Sequence, residues 1–367
     1  MHVVREGSRD GVGMARVVRE GSHDGTGMPT IVREGSHDGM GAARVMREDS
    51  HDECVIALDV GGTGMKGALL DRALRPLLTA RRPTPRGAGP AAVVAEIAAA
   101  VRELAEQAVQ LGLTVQRAGC VVPGIVDEEP ARAVYSANLG WRDLQLADLL
   151  QERTGLPVTL GHDVRAGGWA EAELGAARGA RDVLFVAIGT GIAAAVIADG
   201  RPIRAGGWAG ELGHLLVEPD GPPCGCGGRG CLESVASATA VAAAYTARTG
   251  RAVEGADQVA ALLAQGDADA RAVWERATEA LAAALATATT LLAPELIVLG
   301  GGLAEADELL LAPVRASLAR RLTFQRRPRV VRAALGDEAG CLGAGLYAWQ
   351  AEAAEVGPSG AGEVAFR

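Results

Sequence analysis

At 367 residues the chain is longer than one hydrophobic core usually holds, so two domains are expected. Nearly half of it is apolar but only 3% is aromatic, so the core must be mostly Ala, Val and Leu. A net charge of -9 excludes a surface-wide attraction to nucleic acid. The polar N-terminus lacks a signal-peptide apolar region, and no apolar run is long enough to span a bilayer, so a cytoplasmic protein is expected.

Residues 1–53 repeat a unit of 14 residues: VVREGSRDGVGMAR (3–16), VVREGSHDGTGMPT (17–30), IVREGSHDGMGAAR (31–44), then a truncated VMREDSHDE. Each copy has too few apolar residues to bury a core, which predicts a disordered tail or a start codon placed upstream of Met46. Folded sequence begins near Cys54. CVIALDV, a glycine turn and GMKGALLD predict two strands, and residues 89–112 have helical periodicity. VQRAGCVVPGIVD predicts a strand entering a Pro-Gly turn, LADLLQERTG a short helix, and LPVTLGHD a strand ending on Asp163. VRAGGWAEAELGAA is helical, and DVLFVAIGTG with IAAAVIADG predicts a hairpin. Residues 234–290 predict Ala-rich helices, and PELIVLGGG a buried strand. Strands and helices mix throughout, so the class is α/β.

Three strand-end turns are built alike, at Asp59-Val-Gly61-Gly62-Thr63, Gly189-Thr190-Gly191 and Gly300-Gly301-Gly302. Glycine lets backbone N–H groups approach a phosphate, and Thr adds a hydroxyl. A carboxylate beside a phosphate turn repels it unless a cation intervenes, so Asp59 suggests Mg²⁺. GxxxxGK[ST] is absent, so this is not a P-loop. Gly62, Gly64 and Gly67 do match GxGxxG, but Arg81-Arg82 stands where a dinucleotide site expects an acid, and the other two turns stay unexplained.

The segment GELGHLLVEPDGPPCGCGGRGCLES places His214, Cys224, Cys226 and Cys231 close together. One imidazole and three sulfurs are a structural zinc set, with all four positions filled by protein. Glu211, three residues before His214, can face the same cavity, and Glu233 can join it. One ring nitrogen of His214 can bind zinc while the other donates to a ligand hydroxyl. Paired carboxylates are good acceptors for the hydroxyls of a sugar.

These pieces resemble the ROK family, named for repressor, open reading frame, kinase. The resemblance rests on LDVGGT (58–63), VPGIVD (122–127), NLGW (138–141), the Asp163 region, VAIGTGI (186–192), GELGH (210–214), CGCGGRGCLE (224–233) and LGGGL (299–303). It implies a two-domain actin-like, hexokinase-like ATPase fold with an interdomain cleft. An N-terminal α/β domain would span 54–162 and a C-terminal one 163–339, with a helix over 340–352 returning to the first and a disordered tail over 353–367. It implies phosphorylation of a hexose at its 6-hydroxyl by Mg-ATP, with Asp163 as general base and glucose as the leading substrate. Asn138, Glu211, His214 and Glu233 match sugar-binding positions, the turns at Gly61–Thr63 and Gly189–Gly191 would hold phosphates, and Gly300–Gly302 would lie near the adenosine. A homodimer or homotetramer is implied.

Two departures stand out. The family usually has Asn-Asp where this chain has His162-Asp163, which leaves the sugar open: an N-acetylhexosamine or aminosugar is the alternative, with His162 as a sugar contact. The first turn reads GGTGMKG rather than GGTK, a spacing similar to that of polyphosphate-using relatives, so polyphosphate is the alternative donor. A sugar-responsive repressor, the other half of the family, would carry a winged helix-turn-helix where this chain has its repeat.

Overall fold

The structure is a computed structural model that describes residues 52–356; residues 1–51 and 357–367, expected to be disordered, lie outside the described residues, whereas Glu53, expected to end the disordered tail, opens the first strand. The elements follow in chain order: β1 (Glu53–Val60), β2 (Gly64–Leu70), β3 (Pro76–Pro83), α1 (Pro90–Gln110), β4 (Thr114–Val122), β5 (Ile125–Asp127), β6 (Arg132–Ser136), β7 (Trp141–Leu144), α2 (Leu146–Thr154), β8 (Val158–His162) and α3 (Asp163–Glu173). Then come β9 (Val183–Ile188), β10 (Ile192–Ala198), β11 (Arg201–Pro202), α4 (Leu232–Ala236), α5 (Ala238–Thr249), α6 (Ala256–Ala264), α7 (Ala268–Leu292), β12 (Leu296–Gly300), α8 (Glu308–Arg321), β13 (Arg329–Arg332) and α9 (Ala339–Val356). The class is α/β, as expected. The last helix runs past residue 352, where the sequence expected it to end. The small sheet of β5, β6 and β7 was not predicted: the strand expected before the Pro-Gly turn is β4, and β5 lies after that turn.

Two five-stranded sheets share one plan. The first runs β3-β2-β1-β4-β8 and the second β11-β10-β9-β12-β13. In each, antiparallel strands occupy one side (β3-β2-β1; β11-β10-β9) and parallel strands the other (β1-β4-β8; β9-β12-β13). The glycine turns at 61–63 and 189–191 therefore occupy equivalent places, each joining a central strand to its antiparallel neighbour. The carboxyl ends of parallel strands gather ligand-binding loops, and Asp163 and Gly300 sit at two such ends.

Strand β1 is apolar almost throughout because both of its faces are covered. Alternation sends Ile56, Leu58 and Val60 toward Val93, Ile97 and Leu104 of α1. Val55 and Ala57 face Ala344 and Ala348 of α9. Helix α1 starts on Gly89-Pro90, where proline at the first helical position forfeits no hydrogen bond. Helix α9 comes close because small residues line its path: a Cβ on Gly119 would strike the Ala344 carbonyl, and one on Gly343 would strike that of Ala166 in α3. That close contact seats α3, and hence Asp163, against α9, while the Gly168 side of α3 meets Phe185 and Ala195 of the second sheet.

Candidate active site

A cleft of about 830 Å³ is lined by Asn138, His162, Asp163, Gly189, Gly191, Glu211, His214, Glu233 and Gly301, together with Pro123–Ile125, Tyr135–Ala137, Trp208 and Cys226. All the expected sugar-side residues thus meet in one cavity, although they span 96 positions of sequence from Asn138 to Glu233 counted inclusively.

Asp163 is the first residue of α3, so the amides of the first turn point toward it. Its Oδ1 accepts the Val164 N–H at 2.7 Å. Burial pushes its carboxyl up to about 6, against the opposing pull of that N–H and of Arg165. Such a group is ionised at neutral pH and basic enough to take a proton from a hydroxyl.

Glu233 reaches the cleft from the first turn of α4 and accepts the Ile192 N–H at 2.9 Å. Gly191 leaves it room, since a Cβ there would lie 2.5 Å from Glu233 Oε2. The cysteine loop packs beneath. Cys226 Sγ lies 3.7 Å from Cys231 Sγ, Cys224 Sγ lies 3.7 Å from His214 Nδ1, and all four donor atoms fall within 4.8 Å of one another. Thiolates at about 2.3 Å from a tetrahedral zinc stand roughly 3.8 Å apart, so the donor set fits that ion in number, chemistry and spacing. With Nδ1 facing Cys224, Nε2 of His214 faces Glu211 Oε2 at 3.7 Å.

A family model, described as the ROK family, matches residues 55–351. The chain belongs to the ROK family. It is 32% identical over 318 residues to a glucokinase of Halalkalibacterium halodurans, covering 81% of this chain and 95% of the relative. It is 35% identical over 300 residues to an N-acetylmannosamine kinase of Citrobacter koseri, covering 80% and 98%. The crystal structure of a ROK family glucokinase from Streptomyces griseus, in complex with glucose and AMPPNP, superposes with a TM-score of 0.69 at 32% identity, covering 81% of this chain and 99% of that one. The hexokinase-like ATPase fold implied by the sequence is therefore the fold of this ROK protein.

His162, the departure from the family pattern, has a local explanation. Its ring Nδ1 caps α3 by accepting the Arg165 N–H at 3.2 Å, work that Asn, Asp, Ser or Thr usually does. Only a neutral ring can accept there. Burial, aided by Arg165, pushes its pKa down to about 3, so the ring is neutral and its proton sits on Nε2, 3.5 Å from Asp163 Oδ1. We expect His162→Leu to cost about 1–2 kcal/mol of stability and His162→Ser much less, because serine restores the cap; urea denaturation of the two variants checks this.

The glycine turns expected to hold phosphates are placed more selectively than the sequence suggested. Gly189, Gly191 and Gly301 line the cleft, whereas Asp59, Gly61, Gly62, Thr63 and Thr190 are not among its lining residues. Gly62 lies alongside it, since a Cβ on Gly62 would come within 3.8 Å of Asn138 Cβ. The N–H groups of Gly61 and Gly189 are used inside their own turns, bonding Gly64 O at 2.8 Å and Gly191 O at 2.9 Å. Gly300, Gly301 and Gly302 line an adjoining pocket of about 380 Å³ with Glu305, Arg332 and Asp337, and Gly301 belongs to both cavities.

Asp59 faces Lys66 across the β1–β2 pair. Burial first, then Asp163 and Asp337, push its carboxyl up to about 7, with Lys66 opposing. A carboxyl raised this far stabilises the fold while protonated, and that contribution is lost as pH rises from about 4 through 7. Asp59→Asn should therefore raise the melting temperature by about 2 °C or more at pH 8 in magnesium-free buffer, and change it little at pH 4. Thermal melts at both pH values check the sign.

Sequence reasoning missed Arg165. It is only 2% exposed, and its guanidinium donates to Glu128 Oε1 (2.9 Å), Val126 O (2.8 Å) and Gly207 O (3.2 Å). Glu128 also accepts the Tyr347 hydroxyl at 3.0 Å and pairs with Arg204 at 2.7 Å. This buried knot ties the segment after β4, the loop before Glu211 and α9 to the helix that carries Asp163. The one available signal was an arginine among small apolar residues on a predicted helix.

Proposed function

We propose that this ROK protein is an ATP-dependent hexose kinase acting at the 6-hydroxyl, with glucose as its leading substrate. The observation that carries the reading is Asp163: a carboxylate with its pKa raised to about 6, opening onto the cleft that also holds Asn138, Glu211, His214 and Glu233. In this reading Asp163 takes the proton of the sugar hydroxyl, the oxygen attacks the γ-phosphorus in line, and the bond to the β-phosphate oxygen breaks to release ADP. Asn138, His162, Glu211, His214 and Glu233 hold the remaining sugar hydroxyls.

The turns Gly61–Thr63 and Gly189–Gly191 hold phosphates through the amides not used within each turn, those of Gly62, Thr63, Thr190 and Gly191, with Gly300–Gly302 beside the adenosine. Mg²⁺, when bound with ATP near Asp59, neutralises charge on the phosphates. Zinc on His214, Cys224, Cys226 and Cys231 is structural in this reading. It fixes the tautomer and direction of His214 and supplies no chemistry. The two sheets are read as two lobes dividing between His162 and Asp163, and a homodimer or homotetramer is the assembly the resemblance implies.

A second reading, an N-acetylhexosamine kinase, is supported by the 35% identity to an N-acetylmannosamine kinase, against 32% to the glucokinase of Halalkalibacterium halodurans. A repressor needs no base in its sugar site, and Asp163 speaks for catalysis. The deciding experiment is a coupled ADP-release assay over glucose, mannose, fructose, N-acetylglucosamine and N-acetylmannosamine with ATP, with polyphosphate as donor in a parallel product assay. Turnover of none of these sugars by the purified protein, with DNA binding in a mobility-shift assay, would favour the repressor.

A further inference from the structure

The chain has five tryptophans, and four of them give their indole N–H to a protein acceptor. Trp141 donates to Pro90 O (3.3 Å), Trp169 to Glu173 Oε1 (3.2 Å), Trp274 to Leu309 O (2.9 Å) and Trp349 to Asp71 O (2.9 Å). Trp208 is different. Among the described residues its Nε1 has no hydrogen-bond partner, and it is 60% exposed while lining the cleft. A large ring with a polar edge normally buries the one and pairs the other.

The loop that presents Trp208 is firmly anchored. Arg165 holds the Gly207 carbonyl, Glu128 holds Arg204, and the Gly210 carbonyl accepts the Ala194 N–H at 2.7 Å. Gly207 and Gly210 have φ of 90° and 100°, and neither has space for a Cβ, against the carbonyls of Val126 and Ala194. The anchors are all backbone or arginine contacts, and none uses the indole. The fold thus fixes the backbone on both sides of Trp208 and leaves its side chain free, three residues before Glu211. Tyr135, 37% exposed, lines the same cleft. It pairs with Ile125 in the β5–β6 ladder, and the carbonyl of the next residue, Val126, abuts Gly207, so the segments carrying the two aromatic residues adjoin through β5.

A pyranose has hydroxyls around its rim and apolar C–H faces. Carboxylates and imidazoles serve the rim, and an aromatic ring serves the face. Glu211, Glu233, His214 and Asp163 supply the first kind of partner, and Trp208 supplies the second. We propose that Trp208 is a sugar-binding residue that determines specificity: its ring stacks on the C–H face of the bound pyranose, and its Nε1–H donates to an oxygen of that sugar. The proposal rests on the sugar-kinase reading and adds to it that the site selects a cyclic sugar by its face as well as by its hydroxyls.

The test uses the full-length protein and its Trp208→Ala and Trp208→Phe variants, with glucose and N-acetylglucosamine as probes. In the ADP-release assay Trp208→Ala should raise the sugar KM about tenfold or more, with kcat and the KM for ATP within about threefold of the parent. Trp208→Phe, which keeps a face and loses the N–H, should fall between them. Without ATP, sugar should change the tryptophan fluorescence of the parent, and Trp208→Phe should lose that change. A sugar KM within twofold of the parent in Trp208→Ala, or an undiminished fluorescence change in Trp208→Phe, overturns the proposal. If the parent turns over neither probe nor any other sugar of the panel, the kinase reading is what fails, and the ATP-free titration still decides whether Trp208 contacts sugar.

Discussion

Asp163→Asn is expected to lower kcat by about 10²–10⁴-fold, the range a positioned general base supplies, with the sugar KM within about threefold. Asparagine is nearly isosteric and keeps an oxygen for the Val164 N–H, so the first turn of α3 stays in place. What it lacks is the capacity to take the proton. The pH profile gives a second readout. Burial holds the Asp163 carboxyl near 6, and the base acts only when ionised, so kcat/KM for the sugar should fall about tenfold per pH unit below 6 and level off above it. Stability should move the other way. A carboxyl raised in the folded protein contributes stability that disappears as pH rises through about 6, so the variant should melt no lower than the parent at pH 8. A variant that folds and keeps more than a tenth of the parent kcat would remove Asp163 from the role of base.

Cys231→Ala is expected to have the largest structural effect. The purified parent should contain about one zinc per chain, and the variant well under half of that by elemental analysis. Three remaining ligands bind the ion far less tightly, and the metal is what closes the loop. Cys231 is buried at the start of α4, two residues before Glu233, and its neighbour Leu232 bonds back to Leu215 O at 2.9 Å. Losing the ion therefore releases both His214 and Glu233. The melting temperature should drop by about 10 °C, the sugar KM should rise at least tenfold, and a strong chelator should produce the same melting shift in the parent while leaving the variant unchanged. Parent protein that is free of zinc and melts as a single, chelator-insensitive transition would overturn the zinc assignment.

Much of this site was legible before any fold was known, because its chemistry lies in short local patterns. Four soft ligands between 214 and 231 need only a loop to meet, and Glu211 sits one turn from His214. Asp163 ends an apolar run, where a strand gives way to a helix, and the strand-end glycines mark tight turns wherever they fall. These readings depend on side-chain chemistry and on neighbours within a few residues.

Tertiary structure decided what depends on distant partners. Glu233 is aimed by an amide of Ile192, 41 positions earlier, and by the missing side chain of Gly191. His162 was a departure from a family pattern in the sequence; in the fold it is a neutral helix cap, because burial and the Arg165 amide fix its proton on Nε2. Arg165 and Glu128 read as ordinary charges until three chain segments closed around them and removed the water that would otherwise solvate them. Trp208 carried no periodicity to set it apart from the other four tryptophans, and only packing shows which indole the fold leaves unpartnered. The sequence alone determined which chemical groups this ROK protein has, since those are properties of residues and their near neighbours. Only the folded chain decided which of them share a cavity and with what charge and direction, since burial and long-range hydrogen bonds exist only once the sheets and helices have packed.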